Sequence, residues 1–141
     1  IHSFVTAPMN VDQCTRLWTA IAENPHIDVI GHCGEEIFKF DYEKVIPLFA
    51  KYGKIVEINA ASLRVRPTCK ENCMTIAKLC VKYGVPLVVS SDAHFAGAVG
   101  QVEVALELLK ENGIPEEAIL NADEKRFAAK VSQITGRTFD V

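Results

Sequence analysis

Four side chains that can bind a metal lie in or directly after short apolar segments of this 141-residue chain. They are His2, His32, Asp92 and His94, so three of the four histidines share this placement and only His26 does not. Histidine and aspartate are ligands of zinc and similar divalent metals. If the apolar segments are parallel strands, their carboxyl ends open on one rim. We therefore expect a divalent metal site there.

Ordinary structural roles are the alternative for these residues. A single histidine after a strand more often forms a capping or core hydrogen bond than a metal bond. Asp92 and His94 are two residues apart, and in an extended chain they point the same way and face one metal cluster. A metal-independent α/β binding domain, with ordinary hydrogen bonds at both residues, remains a possible interpretation.

Candidate substrate contacts follow the apolar run 54–58. Arg64 and Arg66 are expected in a loop over 62–68, where a planar guanidinium suits bidentate phosphate binding. Asn59 is a third candidate substrate-binding residue. Solvated loop charges without a ligand are the alternative for the two arginines.

Two further residues near these runs have open roles. Glu57 could be a metal ligand, could accept a hydrogen bond from the N–H of a ligating histidine, or could pack within its strand. The hydrogen bond to a ligating histidine, or a contact with substrate, is the favoured interpretation. Cys33 follows His32, and its thiolate is an alternative metal ligand, but if the local chain is extended, side-chain alternation points it away from the face of His32.

The elements that must position these residues follow a βα pattern. Apolar residues at helical spacing predict five helices, the fourth of them from Val99, Val102, Leu106 and Leu109. Short apolar runs predict strands at 27–30, 54–58, 85–89 and, weakly, 118–120, and a short first strand at 1–4. Gly53, Gly84 and Gly113 each end a helix and lead into the next apolar run, as a left-handed cap does. Strands alternating with helices predict an α/β fold with a parallel sheet.

Composition narrows the class of protein. With 49% hydrophobic and 23% charged residues, the chain is typical of a single globular domain. Its net charge of −3 makes nucleic acid an unlikely partner, and no apolar run approaches the length of a membrane span. The five cysteines form no CxxC pair. We expect them to be reduced, buried core residues, which favours the cytoplasm.

In four segments the chain resembles the C-terminal part of a PHP (polymerase and histidinol phosphatase) domain. The segments are IHSFVTAP at 1–8, GHCG at 31–34, EINAASL at 57–63 and SSDAH at 90–94. The family usually has His-Pro-Gly in the second segment, and Cys33 replaces that proline here. The resemblance implies a distorted seven-stranded βα barrel, similar to a TIM barrel, of which residues 1–141 are a single partial domain.

The same resemblance implies a ligand set and an activity. His2 and His32 would share one metal, Asp92 would bind a second and His94 a third, while the other ligands come from an N-terminal half of the barrel. The metals would be zinc, manganese or iron, and Asp92 and His94 would be the catalytic residues. The complete protein would hydrolyse a small phosphate monoester.

This chain begins with Ile1 and contains no His-x-His motif, so we expect it to lack the N-terminal strands. Partial metal binding and little or no turnover are then expected of residues 1–141 alone, unless the missing half or a second chain completes the barrel. Within the family, a histidinol phosphatase and a polymerase-associated nuclease are alternatives. A non-catalytic half-barrel that acts as an interaction module is the alternative outside it.

Overall fold

The computed structural model describes residues 9–139 and 141, which form an α/β fold. The helices are α1 (Val11–Glu23), α2 (Tyr42–Lys51), α3 (Ala60–Val65), α4 (Cys69–Tyr83), α5 (Glu103–Glu111) and α6 (Glu124–Thr135). The strands are β1 (Val29–Ile30), β2 (Ile55–Asn59) and β3 (Leu87–Ser90). Short 3-10 turns lie at Glu36–Phe38, Ala96–Ala98, Glu116–Ala118 and Leu120–Ala122. The alternation of strands and helices confirms the predicted fold class. The predicted N-terminal segment 1–4, with His2, lies outside the described residues.

The three strands form a parallel sheet in the order β1-β2-β3. Val56 pairs with Leu87 and Asn59 with Ser90, so the carboxyl ends of β2 and β3 are level. Side chains alternate between the two faces of a strand, and one face is almost fully buried against the helices. That face consists of Ile30, Val56, Ile58, Leu87 and Val89. The other face presents Val29, Ile55, Glu57, Val88 and Ser90.

The helices begin and end where their capping residues predict. Asn10 and Gln13 form a capping box at the start of α1, and the side chain of Asp41 accepts the Lys44 backbone N–H at the start of α2. Gly84 ends α4 with a φ of 70°, the left-handed conformation in which glycine carries no Cβ penalty. These local signals explain why helix positions agree closely with the sequence periodicity.

Segment 118–120 differs from the predicted strand. Among the described residues, its strand pairing is limited to one parallel bridge between Ile119 and Leu87, because 3-10 turns on both sides leave one extended residue between them. The side chain of Asn121 continues the pairing instead: its Oδ1 accepts the Val89 N–H at 3.0 Å and its Nδ2 donates to the Val89 carbonyl at 2.8 Å.

Two helix boundaries also differ from the prediction. The residues expected in a loop over 62–68 begin inside α3, which contains Arg64, because the Asn59 side chain caps that helix. The fourth predicted helix begins at Glu103 rather than near Val99, which lies outside it and is 72% exposed. An apolar residue on the expected stripe is therefore not a core residue here.

The core holds all five cysteines, which are buried and free of disulfide bonds, as predicted. Three of them, Cys69, Cys73 and Cys80, lie on α4, and burial raises the pKa of the Cys80 thiol well above its ordinary value. Across the described ranges 9–139 and 141, none of the helices has the length and apolar composition needed to cross a bilayer.

Replacing Gly84 with alanine is expected to destabilise the fold by about 1–2 kcal/mol, the cost of a left-handed L-residue. An added Cβ would meet no atom within 4 Å, so the cost is conformational rather than steric. Urea unfolding of both proteins measures it. Lys78→Ala, an exposed change on the same helix, should shift the unfolding free energy by less than about 0.5 kcal/mol. Equal stability of Gly84→Ala and the unmodified chain would contradict the prediction.

Candidate functional site

The Glu57 carboxylate connects the carboxyl ends of all three strands. Its Oε2 accepts the backbone N–H of His32 at 2.8 Å, in the loop after β1. Its Oε1 accepts the Ser90 hydroxyl at 2.6 Å, at the end of β3. The Asn59 amide nitrogen lies 3.4 Å from Oε2, on the same strand as Glu57. Glu57 therefore fixes the loop of His32 through the backbone, and its role behind a metal ligand stays a prediction.

His32 is held in an unusual backbone conformation, with a φ of 31°. Non-glycine residues rarely occupy this region, and when they do the surrounding structure must stabilise them. The hydrogen bond to Glu57 does so at the backbone. At the ring, Nδ1 lies 3.3 Å from Oε1 of Glu35, and both side chains are largely buried.

Asp92 and His94 lie in the loop that follows β3, and both are exposed. Asp92 has a φ of 48°, so the chain is not extended there and the predicted alternation of Asp92 and His94 is wrong. Instead, Nδ1 of His94 lies 2.8 Å from the carbonyl oxygen of Asp92. The tight turn brings the His94 ring back over the backbone of Asp92.

Cys33 belongs to the core rather than to the site. It is 1% exposed, and burial, followed by the nearby charge of Glu57, raises the pKa of its thiol to about 12. Its thiol lies within the buried core cluster. The prediction that Cys33 points away from the face of His32 assumed an extended chain, and the φ of 31° at His32 removes that assumption.

The predicted substrate-binding residues have definite internal partners. Nη1 of Arg64 donates to the Gln101 carbonyl at 2.8 Å, and Nη1 of Arg66 lies 2.6 Å from Oε1 of Glu35. Asn59 is 2% exposed, and its Oδ1 caps α3 by accepting the Ser62 N–H at 2.8 Å. Both ends of the Asn59 carboxamide are thus engaged, which favours a structural role over the predicted substrate contact.

A cavity of about 1060 Å³ lies between the carboxyl ends of β2 and β3 and the part of the chain from Gly100 to Ala122. Glu57, Ser90 and Asp92 line its polar side. Its apolar side comes from α5 and the segments that flank it, through Val102, Leu106, Leu109, Ile114 and Ile119. Two of the predicted site segments, 57–63 and 90–94, therefore meet at one concave surface.

The donor atoms of the described residues show whether a metal ion could bind at these strand ends. Within residues 9–139 and 141, no three histidine, cysteine, aspartate or glutamate side chains are arranged to hold a metal ion, and His2 lies outside that range. His32, Asp92 and His94 nevertheless provide the right chemistry. The placement of a carboxylate beside Nδ1 of His32 is the arrangement that orients ligating histidines. The donors fit a divalent metal, with further ligands required.

One family of known proteins matches part of this chain. Residues 70–127 match the family described as PHP-associated, a stretch that runs from α4 through β3 to α6. This match and the relatives below confirm the predicted resemblance to the C-terminal part of a PHP-type phosphatase.

The relatives carry the name probable phosphatase. One from Caldicellulosiruptor bescii is 35% identical over 141 residues, all of this chain and 58% of its own length. One from Thermoanaerobacter pseudethanolicus is 40% identical over 125 residues, 87% of this chain and 51% of its own. One from Clostridium botulinum (strain Hall) is 33% identical over 127 residues, 90% of this chain and 52% of its own. The chain thus spans about half the length of these relatives.

Replacing Glu57 with glutamine is expected to destabilise the fold by about 1–3 kcal/mol. The amide keeps the shape of the side chain but turns an acceptor oxygen into a donor, which must face either the His32 N–H or the Ser90 hydroxyl. Urea unfolding measures the change. Glu43→Gln, in an exposed carboxylate on α2, is the matched control and should be nearly neutral. A similar small effect for both variants would show that the Glu57 network contributes little.

Proposed function

We propose that the full-length polypeptide containing this sequence is a metal-dependent phosphoesterase that hydrolyses phosphate monoesters. The observation that carries the proposal is the Glu57 carboxylate, which joins the loop of His32 after β1 to Ser90 at the end of β3, two residues before Asp92. His32 and Asp92 both have left-handed backbone conformations, a form of strain that is concentrated at functional sites. The names of the relatives support the same reaction class.

His2, His32, Asp92 and His94 are the residues of this chain that would hold the metals, with zinc, manganese or iron as the candidates. Bound divalent metals would lower the pKa of a water molecule that they bind and would stabilise negative charge on the phosphoryl group. Asp92 would ligate and orient, and His94 would act as a ligand. The Nδ1 contact of His94 with its own loop restricts the orientation of its ring.

Arg66 would hold the substrate phosphate. Its side chain is 55% exposed, although one nitrogen is paired with Glu35. A guanidinium has five N–H donors in a planar fork, so the ion pair anchors one edge while the rest remains available to an anion. Arg64 is exposed and bound to a backbone carbonyl, which makes it the second candidate.

The remaining ligands would come from the other half of the barrel. A cavity of about 390 Å³ lies between α6 and the sheet face that presents Val29, Ile55 and Val88. Val29, Ile55 and Val88 line that cavity from the sheet, and Phe127 and Val131 from the helix. The relatives are nearly twice as long as this chain. We propose that the additional segment, or a second chain, completes a seven-stranded barrel, and that residues 1–141 alone turn over little substrate.

Net charge bears on the choice of substrate within this class. The value of −3 weighs against a nucleic-acid substrate, and hence against a polymerase-associated nuclease. Histidinol phosphatase is the same reaction on a particular phosphate monoester. A small phosphorylated compound in the cytoplasm is therefore the proposed substrate class.

Removal of metal is expected to abolish the activity of the full-length protein. Hydrolysis of p-nitrophenyl phosphate should fall to background after exhaustive dialysis against a chelator, and added manganese or zinc should restore it. The activity restored by the same concentration of magnesium, a harder cation, is measured for comparison. Full activity in protein shown by elemental analysis to be metal-free would disprove the metal-dependent mechanism.

Replacing Asp92 with alanine is expected to lower the kcat/KM of the full-length protein at least about a hundredfold, because even residues behind a metal ligand contribute 10–100-fold. The exposed Asp12→Ala change in the first turn of α1 is the matched control and should alter kcat/KM less than twofold. Circular dichroism establishes that both variants are folded. A mild effect of Asp92→Ala in a folded protein would exclude Asp92 from the site.

A further inference from the structure

Glu35 is a buried carboxylate to which sequence analysis gave no role. It is 5% exposed and lies three residues after His32. A single oxygen, Oε1, carries its contacts: Ser62 Oγ donates to it at 3.1 Å, Arg66 Nη1 donates at 2.6 Å, and His32 Nδ1 lies at 3.3 Å. One acceptor atom therefore joins the loop after β1 to α3 and to the residue that follows α3.

The surroundings of Glu35 fix its carboxylate in place. A buried charge is costly unless it is paired and hydrogen-bonded, and here the Arg66 guanidinium and the Ser62 hydroxyl meet that need. Ser62 is itself 4% exposed, and its backbone N–H is bound by Asn59. Rigid elements thus determine where Oε1 lies, independently of the His32 ring.

His32 is consequently contacted at two points by two different carboxylates, by a hydrogen bond at its backbone and by a charged group 3.3 Å from its ring that is not in hydrogen-bond geometry. Glu57 accepts the backbone N–H and fixes the loop, whereas Glu35 lies beside the ring. A carboxylate next to one imidazole nitrogen favours the tautomer that carries its proton there, which makes the other nitrogen the metal-binding atom. The second contact therefore acts on the chemistry of the ring rather than on the backbone.

We propose that Glu35, set in place by Arg66 and Ser62, is a positioning residue that holds His32 in its Nδ1–H tautomer for metal ligation. The proposal rests on the proposed function, because it takes His32 as a ligand. It also gives Arg66 a second role: the guanidinium that would meet substrate phosphate also holds the carboxylate behind a ligand. Loss of Arg66 would then disturb the metal site as well as substrate binding.

The imidazole tautomer provides a direct test in the metal-free full-length protein at fixed pH. Long-range ¹H–¹⁵N correlation spectra distinguish the Nδ1–H form from the Nε2–H form, and a His32→Gln variant assigns the signal. We expect the Nδ1–H pattern in the unmodified protein and a shift toward Nε2–H in Glu35→Ala. Glu36→Ala is the matched control, because this neighbouring carboxylate contacts Lys39 and Asn72; it should leave the pattern unchanged.

Metal affinity is the second readout. Titration with Mn²⁺, followed by the electron paramagnetic resonance of the free ion, should show about 10–100-fold weaker binding in Glu35→Ala and no change in Glu36→Ala. Glu35→Gln retains a carbonyl acceptor and should recover part of both the tautomer and the affinity. If Glu35→Ala does not fold, Ser62→Ala and Arg66→Ala loosen the same carboxylate and should shift the tautomer in the same direction.

Failure of the positioning role of Glu35 and failure of the proposed phosphatase function give different results. An unchanged His32 tautomer in Glu35→Ala, or in both substitute variants, would overturn the positioning role even if the protein is a phosphatase. A shifted tautomer with unchanged Mn²⁺ affinity would overturn the link to metal ligation. An unmodified protein that binds Mn²⁺ but hydrolyses no phosphate monoester would reject the proposed function and leave the Glu35 result standing.

Discussion

The Glu57 carboxylate is the interaction on which the geometry of the rim depends. A parallel sheet aligns strand ends but does not fix the loops that leave them. Glu57 fixes them by accepting the His32 backbone N–H on one side and the Ser90 hydroxyl on the other. Because both donors are strong and nearly buried, leaving either unsatisfied would cost free energy. The same network that stabilises the sheet therefore determines where the candidate ligands lie.

The strained residues are stable because of this network. Among the described residues, His32 and Asp92 are the two non-glycine residues with positive φ. Each lies two residues after the end of a strand, where a sharp change of direction is needed to turn the chain across the rim. At His32 the cost is offset by the Glu57 hydrogen bond, and at Asp92 its own carbonyl contacts the His94 ring. Strain and site coincide because the rim is where the chain must turn.

Sequence periodicity predicted the longer helices and the three parallel strands because both depend on local patterns of burial and capping. Gly84 and Asp41 mark helix ends through their own backbone and side-chain chemistry. Glu35 and Asn121 were missed for the opposite reason: each acts on residues about 30 positions away, and no spacing rule reports such contacts. Arg64 was misplaced because α3, a six-residue helix, is too short to show a period.

Strand β3 is covered by the described residues both on its helical face and, at Val89, along its edge. On the helical side, Leu87 and Val89 are buried. At the edge, the carboxamide of Asn121 satisfies both backbone groups of Val89, so it takes the place of a peptide unit in a neighbouring strand. Such a side chain removes the reason for a foreign strand to pair at that point. The face opposite the helices presents Val29, Ile55 and Val88 beside Glu57 and Ser90. Any element that packs there must therefore be recognised by side-chain contacts rather than by strand pairing at Val89.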